Sequence, residues 1–112
     1  MKLIIAIIQP SRLDAVKEAL TRVEVHRLTV VDCQGFGRQR GRIDSLRGRQ
    51  VGVQLQPKVQ LQIAVNEDFV ERTIEAISRG GQSGQIGDGK IFVLPMDDCI
   101  RIRTGERGEE AI

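Results

Sequence analysis

The 112-residue chain has no tryptophan and no tyrosine, only three phenylalanines, one histidine and two cysteines. Without aromatic platforms, single-stranded nucleic acid has nothing on which to stack its bases, and this argues against nucleic-acid recognition. A single His26, between Val25 and Arg27, removes the usual parts of His-pair zinc sites and of conventional triads; it reads as a turn or surface residue. Cys33 and Cys99 make neither a CxxC nor a four-ligand zinc pattern and cannot frame a disulfide scaffold, so they read as small apolar side chains in strands. The apolar opening Leu3–Ile8 is too short for a signal core or a membrane span, which points to a cytoplasmic protein with no membrane insertion.

What is present fits one domain over residues 1–112. Lys and Arg total 17, Asp and Glu 15, giving +2, and 40% of residues are hydrophobic; disorder, collagen and coiled coil are excluded. Lys2–Ile8 carries isoleucine at four of seven positions and is bounded by Gln9-Pro10, as a buried strand would be. Ser11-Arg-Leu-Asp14 reads as a capping box opening a helix whose Leu13, Val16, Ala19, Leu20 and Val23 form one stripe. Leu28–Gln34 reads as a second strand that stops in a turn at Gly35-Phe36-Gly37.

Between Arg38 and Pro57 no period holds, which predicts a loop of about twenty residues, a length that is uncommon unless it has a function or is disordered. Gly37–Lys58 holds Arg38, Arg40, Arg42, Arg47, Arg49 and Lys58 against Asp44 alone, a net +5, leaving −3 for the remainder. Such a loop suits phosphates, an acidic protein surface or a membrane-proximal partner; the plainer reading is a solvated flexible loop. Val59–Val65 then alternates strictly, with Val59, Leu61, Ile63 and Val65 on one face and Gln60, Gln62 and Ala64 on the other. Asn66 reads as the N-cap of a second helix with the stripe Val70, Ile74, Ile77, ending at Arg79-Gly80-Gly81. Lys90–Leu94 and Cys99–Ile102 read as short strands, followed by a polar tail over about 103–112.

Two βαβ-like halves predict an α+β, ferredoxin-like βαββαβ sandwich with a long loop between strands 2 and 3. The sheet face away from the helices carries enough apolar groups to predict burial against other subunits. The glycine-rich stretch 80–90 resembles a P-loop only superficially, since Ile91 stands where Ser or Thr would hold magnesium and the segment follows a helix instead of a strand. Its physics still suits an anion: Gly87 and Gly89 let backbone N–H groups approach phosphate oxygens, Lys90 adds a charge, and Arg101 and Arg103, two apart on a strand, would share a face. A flexible linker with solvated arginines is the alternative. No nucleophile stands beside a base, which favours binding without chemistry.

Gly35-Phe-Gly-Arg-Gln39, Pro57-Lys58, Ser83-x-x-x-Gly-Asp-Gly-Lys-Ile-Phe-Val93 and Arg101-Ile-Arg-Thr-Gly105 together resemble the PII signal-transduction family over the whole chain. The resemblance implies a non-enzymatic homotrimer that binds ATP or ADP in clefts between subunits and acts through an extended T-loop, about residues 37–57. Nucleotide would be lined by Gly35, Phe36, Gly37 and Arg38 on one side and by Gly87, Asp88, Gly89 and Lys90 on the other. Thr29, Gln62 and Ala64 would lie near the adenine, and Arg101 and Arg103 would hold phosphates. With ATP and Mg²⁺, 2-oxoglutarate would be held through Gln39, which ligates the metal, Lys58 and backbone near Gly41. The basic residues Arg40, Arg42, Arg47 and Arg49 are the expected contacts to a target, such as an ammonium transporter or a metabolic enzyme in nitrogen and carbon regulation.

The chain departs from that pattern. Val51 replaces the T-loop tyrosine that is modified in many bacterial members, and Arg49 stands at the phosphoserine position of some cyanobacterial ones. Gln9 and Gln62 replace a common lysine and a common glutamate. These changes keep open an adenylate sensor with a non-nitrogen output and another small anion, such as bicarbonate. A nucleic-acid or metal-tolerance module on the same fold is the third reading, disfavoured by the missing aromatics.

Overall fold

The computed structural model describes residues 1–38 and 53–112. Four strands, β1 (Lys2–Ile8), β2 (Thr29–Arg38), β3 (Val53–Val65) and β4 (Gly89–Pro95), form one antiparallel sheet in the order β2-β3-β1-β4. Helices α1 (Leu13–Arg22) and α2 (Val70–Gly81) connect β1 to β2 and β3 to β4. This is the expected βαββαβ sandwich, in which each helix returns the chain to a strand that is not the neighbour of the one it left.

The core follows from period. Ile4, Ala6 and Ile8 of β1 and Val59, Leu61, Ile63 and Val65 of β3 are buried with Val16, Ala19 and Leu20 of α1 and Val70, Ala76 and Ile77 of α2. The opposite face of the sheet carries the residues between them. There Ile5 stands between Gln62 and Phe92, Leu3 between Ala64 and Leu94, and Ile7 between Gln60 and Lys90. On this open face Phe92 and Leu94 remain 48% and 41% exposed, with Val31 on β2 at 39%.

Four local expectations are corrected. Ser11 lies inside a 3-10 turn, Pro10–Arg12, that precedes α1, and no side chain caps either segment. Pro10 at the first helical position sets that turn, so the Ser11–Asp14 capping box does not form. Asn66 likewise makes no capping bond; its amide donates to the Glu109 carbonyl at 3.2 Å, and a 3-10 turn, Glu67–Phe69, leads into α2. β2 does not stop at Gly35-Phe36-Gly37 but runs on to Arg38, paired with Val53–Pro57 of β3, so the long connection is shorter than the sequence suggested. Glycine is tolerated there for a packing reason: a Cβ on Gly35 would lie 2.9 Å from Cγ of Lys58, whose stem crosses it.

The fourth correction concerns Cys99–Ile102, which is no strand. Only Ile100 bridges, to Arg107, and the Arg101 backbone closes a turn instead, receiving Gly105 N–H at 2.7 Å and donating to Glu106 at 2.9 Å. Thr104-Gly105 supplies the turn, with Gly105 at φ 75°. Asp98 accepts from Arg107 and from the N–H groups of Cys99 and Gly108, which fixes the hairpin-like tail. Arg101 and Arg103 therefore do not share a strand face, and Cys99 is not a strand residue. Cys33 is, half-buried on the open face opposite Lys58. His26 is exposed in the connection between α1 and β2, as expected.

Helix α1 ends with Glu24 in the left-handed region at φ 65°, where Cβ crowds the following carbonyl and glycine is the usual occupant. Glu24→Gly relieves that strain while loosening the unfolded chain, so it is expected to raise stability by roughly 0.5–1 kcal/mol. A higher urea midpoint at unchanged slope checks it; an unchanged or lower midpoint contradicts it.

Candidate functional site

Antiparallel register brings one set of the candidate site residues to a single end of the sheet. Lys90 pairs with Ile7, and Lys58 lies just beyond Val59, the partner of Ile8, so both lysines sit on the open face at the same edge. Gly35, Phe36, Lys58, Gly87, Gly89 and Lys90, with Ile7 and Phe92, line a cavity of about 390 Å³. Lys58 Nζ donates to the Gly87 carbonyl at 2.9 Å. Gly87 and Gly89 have φ of 99° and 109°, conformations that a side chain would resist. A Cβ on Gly87 would also stand 3.0 Å from Gln9 Nε2 and 3.5 Å from Lys58 Nζ.

Asp88, expected beside a nucleotide, turns back into its own segment. Its carboxylate accepts the Ser83 N–H at 2.7 Å, the Gly84 N–H at 2.9 Å and the Ser83 hydroxyl. The Ser83 hydroxyl bond first, then the two N–H donors with a contribution from Arg12, holds this carboxyl below its usual 3.8. Asp88 thus shapes the segment on which Gly87, Gly89 and Lys90 are displayed.

The other expected ligands lie elsewhere on the chain. Thr29 and Gln62 are cross-strand partners on the open face. Ala64 and Arg101 line a different cavity of about 330 Å³, with Arg27, Asn66, Phe69 and Ile112 among its walls. Arg101 donates to Glu106 Oε1 at 3.3 Å and to the Ile112 oxygen at 3.4 Å, while Arg103 is exposed in the turn. Lys58 and Ala64 lie six positions apart on β3, about 20 Å along an extended strand. One chain therefore does not gather Lys90, Arg101 and Arg103 into one anion site. Gly37 and Arg38 end β2, and Gln39, Arg40, Gly41, Arg42, Arg47 and Arg49 lie outside the described residues.

Two cavity residues escaped the sequence reading. Ile7 and Phe92 looked like ordinary strand apolars, yet each lies on the open face in the site. The signal was available in period two, since Ile7 alternates with buried Ile8 and Phe92 follows Lys90 by two.

A family model described as nitrogen regulatory protein P-II matches residues 1–106. The nitrogen regulatory protein P-II of Bradyrhizobium diazoefficiens is 52% identical over 112 residues, covering 100% of both chains. Nitrogen regulatory protein GlnK1 of Methanosarcina mazei is 51% identical over 114 residues, covering 100% of this chain and 97% of its own. Among solved structures, Arabidopsis thaliana PII bound to citrate matches with a TM-score of 0.80 at 40% identity, covering 98% of this chain and 87% of that one.

The lowered Asp88 pKa has a defined pH signature. A carboxylate depressed in the folded state adds stability above its ordinary pKa of 3.8 and loses it as pH falls through the depressed value. Urea midpoints of the wild type and Asp88→Asn are therefore expected to differ most above the ordinary carboxylate range and to draw together as pH falls below it. A constant difference across that range contradicts the Asp88 contacts.

Proposed function

This chain belongs to the nitrogen regulatory protein P-II family, and on that premise we propose that it is a non-enzymatic allosteric regulator that binds ATP and ADP. The observation that carries this reading is the cavity flanked by Lys58, Lys90 and the glycines 87 and 89. The Lys90 ammonium and donor-rich backbone suit phosphate oxygens, and Ile7, Phe36 and Phe92 supply an apolar wall for the rest of a nucleotide.

A homotrimer completes the site. The open sheet face, with Ile5, Phe92 and Leu94 at its centre, is the surface that further copies would cover. A neighbouring subunit would bring Arg101 and Arg103 to the phosphates held by Lys90 of the first, which accounts for their separation within one chain. Arg101 would then exchange Glu106 for phosphate, a stronger charge-assisted pair. Thr29, Gln62 and Ala64 would face the adenine from the open face of the sheet.

Lys58 is suited to a carboxylate of 2-oxoglutarate, because its ammonium keeps further donors beside the one that bonds the Gly87 carbonyl. The plant relative bound to citrate supports a polycarboxylate partner for this fold. Magnesium, held with ATP through Gln39, would neutralise phosphate charge and offer coordination positions to the 2-oxo acid, with backbone near Gly41 completing the contacts. The basic loop with Arg40, Arg42, Arg47 and Arg49 would contact the target, an ammonium transporter or a metabolic enzyme of nitrogen and carbon regulation. No helix among the described residues is long and apolar enough to cross a membrane. The proposed regulator of nitrogen and carbon metabolism would act in the cytoplasm. Ligands would switch the loop by contacting one of its arrangements better than another.

Calorimetry with ATP, ADP and Mg²⁺ tests the reading. ATP and ADP are expected to bind, 2-oxoglutarate only in the presence of Mg-ATP, and Lys90→Gln to weaken ATP about tenfold or more, as loss of a charged hydrogen bond does. Absence of nucleotide binding overturns it. Binding of nucleotide with bicarbonate, and not 2-oxoglutarate, as the second ligand overturns the nitrogen-linked effector alone.

A further inference from the structure

We propose that Arg12 is a positioning residue for the anion-binding segment 82–90, acting through its backbone and never touching the ligand. The proposal rests on the nucleotide reading of that segment. Arg12 ends the 3-10 turn that precedes α1, and its half-buried guanidinium reaches across the fold to the far end of α2. Nε donates to the Gly80 carbonyl and Nη2 to the Gln82 carbonyl, both at 3.0 Å, spanning 68 and 70 residues of sequence.

These acceptors are chemically meaningful. The last carbonyls of a helix have no partner within it, and a cation there is favoured by the helix dipole. In α2 one such bond is supplied by Gln82 N–H to Ser78; Arg12 supplies Gly80 and then extends to Gln82, the first residue beyond the helix. The reach depends on close packing of the two helices. A Cβ on Gly80 would come within 2.7 Å of Val16 Cα and 2.9 Å of the Ala15 carbonyl, so only glycine lets the last turn of α2 settle against the start of α1.

From Gln82 onward every few residues are held. Arg12 fixes Gln82, Asp88 fixes Ser83 and Gly84, and Lys58 fixes the Gly87 carbonyl. Arg12 is the first of these points and the one nearest the helix, so it sets where the segment leaves the core. It does not line the cavity of Lys58 and Lys90. Its planar fork serves two carbonyls at once, which a lysine ammonium on a flexible stem would do less rigidly.

Arg12→Met keeps the stem and removes the donors; Arg12→Lys keeps charge and a donor. With calorimetry at a temperature where each variant is fully folded by circular dichroism, Arg12→Met is expected to weaken ATP and ADP roughly tenfold, as a loosened support for a preorganised site does. Arg12→Lys is expected to recover part of the loss, and it stands in if Arg12→Met does not fold. Unchanged nucleotide affinity in the folded variants, or equal losses in Met and Lys, overturns the positioning role while leaving the nucleotide reading intact. A wild type that binds neither ATP nor ADP overturns both.

Discussion

The Lys58 ammonium bonded to the Gly87 carbonyl is the contact on which the proposed site depends. Its stem lies across Gly35, where any side chain would collide, so one lysine ties together β3, β2 and the glycine-rich segment before β4. That tie places two cations, Lys58 and Lys90, and two backbone stretches able to donate at one edge of the open face. It also sets the ribbon of β2 and β3 against segment 82–90. Each of the segment's other anchors, Asp88 within it and Arg12 beneath it, protects the same geometry from a different side.

Much of this was legible in the sequence where a regular period or a rigid residue type dictates structure. The alternation Val59–Val65 gave the buried face of β3 residue by residue, and Gly87-Asp-Gly-Lys90 marked a segment that lines the cavity beside Lys58. Where the reading failed, a nonlocal contact outweighed a local signal. Gly35 and Gly37 look like a turn, yet pairing with Gln56 and Gln54 keeps them in β2, and Lys58 occupies the space that the missing side chain of Gly35 leaves. Ser11-Arg-Leu-Asp14 has the spacing of a capping box, yet Pro10 had already begun a 3-10 turn. Arg101 and Arg103 have strand spacing, but Thr104-Gly105 folds them into a turn.

Residues acting at long range left no local trace. Arg12 bonds carbonyls 68 and 70 positions away, so no window of sequence reveals its role. Likewise the open face reads as surface in one chain, although Ile5, Phe92 and Leu94 give it the character of a covered one. The two separated groups of cations, Lys58 with Lys90 and Arg101 with Arg103, would meet across a second copy in the assembly proposed above. Of the positions where the chain departs from the family pattern, Gln9 lies against Gly87, at the edge of the cavity, and Val51 lies outside the described residues.

The central claim is that the nucleotide site is shared between copies, and a mixing experiment addresses it directly. Lys90→Gln and Arg101→Gln chains, each expected to bind ATP weakly alone, are unfolded, combined in equal amounts and refolded together. Cyclic trimers assembled at random pair an intact Lys90 with an intact neighbouring Arg101 at about one site in four. Recovery of tight ATP binding at about that fraction is the result a shared site predicts; a mixture that binds no better than its separate components would contradict it.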